Sequence, residues 1–177
     1  MDARRNTCPV QYDYYLVGVG AAGLAMGCLF YALTRTSPHI FLLSDFFTQI
    51  FPGHSNSSGW GALPTFIHTF SFVLISVGIV GYRRSSVVIA IASLWASIEL
   101  LFELGQHPVL EQTFVHALPN WLLRVPVFDQ TAHYFIRGTY DIWDVVAIFA
   151  AAGLAVLLIH LLHRKGERYE RAVTYDE

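Results

Sequence analysis

Glu99 and Glu103 stand inside an otherwise apolar or small-residue run, Val87 to Gly105, and Gln106 follows it before Pro108. Steps of four and three residues place all three on one face of a helix. Two carboxyl groups one turn apart repel each other, so one of the pair is suited to hold or release a proton, the work of a general acid or base. A carboxylate at the centre of a bilayer also costs roughly 2.5–3.5 kcal/mol on insertion scales. A chain that keeps two of them there needs partners for them.

The remaining polar residues close to apolar runs supply candidates. His68 lies near the start of one run, and Arg137, Asp141 and Asp144 stand at the entrance of another. Glu99, Glu103 and His68 are the candidate catalytic residues. Gln106, Arg137, Asp141 and Asp144 are the candidate binding residues, with the Arg137 guanidinium suited to an anionic group. Each has a plainer reading. The glutamates, Gln106, Arg137 and His68 can close one end of a helical bundle as a structural network. Asp141 and Asp144 can cap a helix and complement its dipole. His68, flanked by Phe66, Phe70 and Phe72, can be an ordinary core histidine. Imidazole and carboxylate from His68, Glu99, Glu103 and His107 suit several divalent ions, but their spacing matches no metal motif, so neither a metal nor a cofactor is assigned.

Composition says what must position these groups. Of 177 residues, 54% are hydrophobic and 14% charged, against about 25% charged in a soluble domain. The expected fold is all-α: a single membrane domain, 1–177, built as a bundle of four transmembrane helices. The spans are Tyr15 to Leu33, Phe66 to Tyr82, Val87 to Gly105, and Ile142 to Leu162, each close to the length of about 20 residues that a bilayer requires. The N-terminus lacks a signal peptide with a small-residue cleavage site, so the first run is expected to stay as an anchor. It contains Gly23-x-x-x-Gly27, which permits close helix approach. The 38–52 segment is bracketed by Pro38 and Pro52 and carries Asp45, so it reads as a short interfacial or re-entrant helix. A second such helix can form over Leu110, Phe114, Leu118 and Trp121. Asn56-Ser57-Ser58 fits a glycosylation sequon. Cys8 and Cys28 suggest neither a disulfide nor a zinc site. Tyr14, Trp60, Tyr82, Trp121 and Trp143 fit an interfacial belt.

Charge then orients the bundle. Arg4, Arg5, Arg83, Arg84, Arg164, Lys165, Arg168 and Arg171 fall on one side of a four-span chain, and only Arg35, Arg124 and Arg137 on the other. Positive residues mark the cytoplasmic side. Both termini are therefore expected in the cytoplasm of a multi-pass plasma-membrane protein, with His68, Glu99, Glu103, Gln106, Arg137, Asp141 and Asp144 converging at the outer end. The basic tail reads as a topology determinant, with no nucleic acid as partner.

Three blocks of the chain resemble the VanZ-like family: FIHTFSFVLI, IELLFELGQ and RGTYDIWDVVAIFAAAGLA. Together they cover roughly residues 64–160. The resemblance puts His68, Glu103, Gln106, Arg137 and Asp144 in the family's polar positions, with Glu99 and Asp141 beside them. Leu63 and Pro64 stand where an acidic residue often precedes the histidine, and Ile148 where an asparagine often follows the last aspartate. The family is named for resistance to the glycopeptide teicoplanin. The resemblance implies a helical integral membrane protein with a cell-envelope role.

Three functions follow as expectations. The first is an outward-facing site that binds or acts on a membrane lipid or a lipid-linked envelope precursor. The second is a non-catalytic scaffold whose polar cluster fixes helix register. The third, a transporter subunit or proton relay, is disfavoured because the inner half of the last span carries only His160 as an ionisable residue. The orientation has a direct test. With Ser57→Cys and Glu167→Cys in separate chains, a membrane-impermeant thiol reagent should label position 57 on intact cells and spare position 167; the reverse pattern would invert the topology.

Overall fold

The computed structural model describes residues 13–34, 61–81, 84–121, 124, 135–136 and 138–175, the side chains of 31–34 and 166–175 excepted. These residues form five helices and no strand: α1 (Tyr14–Thr34), α2 (Leu63–Val80), α3 (Ser85–Gly105), α4 (Glu111–Ala117) and α5 (Ile142–Tyr175). Three stretches are long and apolar enough to cross a membrane: α2, α3 and, within α5, Ile142–Lys165. In α1 the stretch of that character is the shorter Tyr14–Phe30. The 38–52 segment, the sequon and Arg137 lie outside the described residues.

Helix ends follow local chemistry. One carboxylate oxygen of Asp13, Oδ1, accepts the backbone N–H groups of Tyr15 and Leu16, each at 3.1 Å, and so caps α1. Pro64 sits in the first turn of α2, where a missing N–H costs nothing. This carries the helix three residues ahead of Phe66, the start expected from hydropathy. Gly81 ends α2 at φ 76°, a conformation open to glycine, with its N–H bonded to the Val77 carbonyl. Asp141 caps α5: its Oδ1 accepts the Trp143 N–H at 2.9 Å. At its far end α5 continues to Tyr175, well past the apolar stretch.

The long helices alternate in direction. The start of α1 meets the end of α2, where Asp13 N–H donates to the Gly78 carbonyl at 2.9 Å. Trp95 ties α3 to α2 by donating to Ser76 Oγ at 2.9 Å and stacking on Phe72 at 4.5 Å between centroids. The starts of α2 and α5 and the end of α3 thus share one end of the bundle. α2 is central, with α1 on one side and α3 and α5 on the other. Its core combines Val73, Leu74 and Val77 of α2 with Val88, Ala92 and Ala96 of α3 and Ile148, Ala152, Ala155 and Ile159 of α5. The alanines let helix axes come close, the usual device where lipid removes the hydrophobic drive for helix association.

Glycine does the same for α1. A Cβ on Gly20 would lie 2.8 Å from the Ser71 carbonyl oxygen, and one on Gly23 would lie 2.6 Å from Ser71 Oγ. Backbone cannot move aside as a flexible side chain can. Gly20→Ala should therefore push α1 off α2 and cost about 1–3 kcal/mol, as overpacking does. Gly18→Ala, with nothing within 4 Å of its Cβ, is the control. Thermal unfolding in detergent should separate the two variants; equal melting points would mean that α1 is not seated on α2 as described.

Candidate functional site

The inward stripe of α3 changes character along its length. Val88, Ala92 and Ala96 are buried apolar residues, and the same face continues as Glu99, Glu103 and Gln106. On α5 the order is mirrored, with Asp144 at the start and then Ile148, Ala152 and Ala155. On α2 the matching end carries Thr65 and the fully buried Thr69. The bundle interior is therefore polar at one end and apolar along the rest.

Glu103 is only 7% exposed, and its Oε1 accepts the backbone N–H of Asp141 at 2.6 Å. That N–H lies just ahead of α5, where amides lack intrahelical partners and the helix dipole is positive. Asp144, also buried, accepts a hydrogen bond from Thr65 Oγ1 at 2.8 Å, which links the first turn of α5 to the first turn of α2. Two helix starts thus converge on the carboxyl groups. Each such dipole end typically favours a nearby anion by about 0.3–1 kcal/mol. Glu99 lies one turn deeper, half-buried, and Asp144 and Glu103 both act on it by like-charge repulsion. Among the described residues Glu99 makes no hydrogen bond.

The approach to α5 is held down on the end of α3. Gln106 is buried, and its Nε2 donates to the Phe102 carbonyl at 3.3 Å. A Cβ on Gly138 would overlap the Gln106 side-chain amide. Phe135, 4% exposed, fills the space over Gly105, where a Cβ would meet its ring at 2.6 Å, and contacts the rings of Phe102 and Phe114. The His107 ring meets Tyr140 edge-on at 4.9 Å, and its Nδ1 accepts the Val109 N–H at 3.3 Å. In α4, Phe114 rests on Phe135, while Trp121 beyond it is 67% exposed.

The structure brings Glu99, Glu103, Gln106, Asp141 and Asp144 together at this end. His68 is half-buried on the neighbouring face of α2, its ring 6.0 Å from that of Phe72. Its Cδ2 lies 3.9 Å from where a Gly27 Cβ would stand, toward α1, and it makes no hydrogen bond among the described residues. Arg137 belongs to the undescribed positions. Three residues that matter here escaped the reading of the sequence. Thr65 donates to Asp144, and its signal is a hydroxyl in the first turn of an apolar helix. Gly138 and Phe135 complement Gln106 and Gly105, a fit that only tertiary contact reveals. Among the described residues, no group of three or more His, Cys, Asp or Glu side chains is placed to hold a metal ion.

Comparison with protein-family models, with curated proteins and with solved structures finds no match for this chain. The chemistry must come from the arrangement itself. An ionised carboxylate accepts hydrogen bonds and cations, and a protonated one can also donate. Glu103 and Asp144 spend acceptor capacity on holding helices together. Glu99 retains its own for another group.

The link between α3 and α5 predicts a local measurement. Glu103→Leu strands the Asp141 amide, so its hydrogen exchange should accelerate, and stability should fall by about 1–3 kcal/mol, the usual penalty for an unsatisfied buried group. Glu103→Gln retains an oxygen acceptor and should fall between wild type and Leu. Unchanged exchange at Asp141 in the Leu variant would break the proposed link.

Proposed function

We propose that the chain is a VanZ-like membrane protein of four spans, with α1 as the fourth, both termini cytoplasmic and the carboxyl end of the bundle facing outward. At that end it binds or acts on a lipid or lipid-linked precursor of the cell envelope in the plasma membrane. One observation carries the reading. Three carboxyl groups meet at one end of the bundle, two of them held by protein donors, and Glu99 has none among the described residues. A helix keeps such a group near hydrocarbon at a cost, and ionisable residues in spans mark functional sites by default. Polar residues from all three blocks that resemble the family are drawn to this end or lie beside it in the sequence. The bundle also has a basic end, with Arg84, Arg164 and Lys165 exposed opposite the carboxyl groups, which supports the orientation by the positive-inside rule.

In this reading Glu99 is the proton-handling or cation-binding group, Glu103 and Asp144 position it, and Gln106 shapes the rim. Arg137 supplies the cation for a phosphate or carboxylate of the ligand.

The non-catalytic scaffold is the second reading. The observation in its favour is that Glu103 and Asp144 each join two helices, as structural latches do. Glu99→Gln distinguishes the two. Removing one of three like charges should leave the fold intact and slightly stabilised, by up to about 1 kcal/mol on the scale of partly exposed charge pairs. Protein purified in mild detergent should then lose one headgroup class from its co-purifying lipids, as read by mass spectrometry. An unchanged lipid profile in a folded Glu99→Gln variant would reject the binding reading in favour of the scaffold.

A further inference from the structure

The two ends of the bundle carry different rings of exposed residues. At the end away from the carboxyl groups are Tyr14, 79% exposed, and Tyr15, 69% exposed, together with exposed Arg84, Arg164 and Lys165. At the carboxyl end are Trp143, 66% exposed, and exposed Trp121 beyond α4. Between them the outward faces are apolar: Ile89, Leu94 and Leu101 on α3, and Val146, Phe149, Leu154, Leu157 and Leu161 on α5. Aromatic and basic side chains favour the boundary between headgroups and hydrocarbon.

The spacing of these rings matches a bilayer. At the helical rise of about 1.5 Å per residue, Trp143 and Arg164 are roughly 31 Å apart along α5, and Arg84 and Glu103 roughly 28 Å apart along α3. The hydrocarbon core of a bilayer is about 30 Å thick. On α5 both ends of the slab carry anchoring residues, and on α3 the same thickness measured from Arg84 ends at the level of Glu103.

The geometry points to a membrane boundary that runs through the carboxyl cluster, so that this end of the bundle forms an interaction surface for the headgroup layer of one leaflet. Asp141 is exposed at headgroup depth, and Glu103 and Asp144 lie buried beside it at the same level of the bundle. Glu99, roughly 6 Å deeper at one helical turn, is the first carboxyl inside the hydrocarbon. The exposed ring of Trp143, one residue before Asp144, fixes that depth from the outside. Cluster and headgroups are then at the same level, and a lipid can present its polar group sideways from its own leaflet. This deepens the proposed function and rests on its membrane reading, but it concerns depth, which is measurable without knowing any ligand.

The test uses the full chain with Cys8 and Cys28 replaced by serine and one nitroxide label at a time, at Trp143→Cys, Leu94→Cys or Arg164→Cys. The protein is reconstituted into vesicles of phosphatidylcholine with phosphatidylglycerol. Power saturation should show the labels at 143 and 164 relaxed mainly by a water-soluble nickel chelate, and the label at 94 mainly by oxygen. If the Trp143 variant does not reconstitute, exposed Ile142 takes its place. A label at 143 or 142 as oxygen-dominated as that at 94 would overturn the boundary, as would chelate access at all positions. A shallow 143 combined with an unchanged lipid profile in Glu99→Gln would uphold this depth and defeat headgroup binding alone.

Discussion

The bond from the Asp141 amide to Glu103 Oε1 is the interaction on which the polar end of this molecule depends. A buried carboxylate needs donors, and the start of a helix needs acceptors. Each supplies what the other lacks. The end of α3, where the dipole is negative, carries an acid that this terminus does not favour by itself. The start of α5, antiparallel to it, brings the positive end of its own dipole. Thr65 adds the same kind of closure between α2 and Asp144. In this way the helices of the bundle core are tied together at their polar end by acids and unsatisfied donors rather than by side-chain packing alone.

That arrangement requires close backbone approach, which small residues provide. Ala92, Ala96, Ala152 and Ala155 lie in the core, so the carboxyl stripes of α3 and α5 continue from faces already in contact. Gly105 and Gly138 leave room for Phe135 and Gln106, and the chain entering α5 can therefore lie flat on the end of α3. The glycines of α1 serve a separate joint. They seat α1 on α2, with no comparable packing on α3 or α5. The joint includes Ser71 Oγ, which is buried with no hydrogen-bond partner among the described residues. The polar cluster is thus built by α2, α3 and α5, and α1 braces it from outside.

Glu103 and Asp144 are buried acids, and each has a protein donor for its carboxyl group. Glu99 lies one turn deeper along α3 and is half-buried. It is the one of the three whose side chain makes no hydrogen bond among the described residues. A chemical role for the cluster rests on that difference between Glu99 and its two neighbours.

The sequence by itself determined a helical protein with membrane-length apolar stretches, because period and length are local properties of the chain. It placed Glu99, Glu103 and Gln106 on one face, since helical spacing alone decides that. It also identified Asp141 and Asp144 as belonging to the start of a helix. Tertiary structure decided the rest. Among the described residues a donor that answers Glu103 is a backbone amide, which every residue but proline carries and no composition reveals. Thr65, 79 positions from Asp144, becomes its donor only because α2 and α5 start at the same end. His68 shares that end but turns its ring toward Phe72 and the α1 side, a matter of rotation about the helix axis that depth along the chain does not specify. Spacing along a helix is a one-dimensional property and can be read directly. The choice of partner depends on which faces meet, and packing settles that.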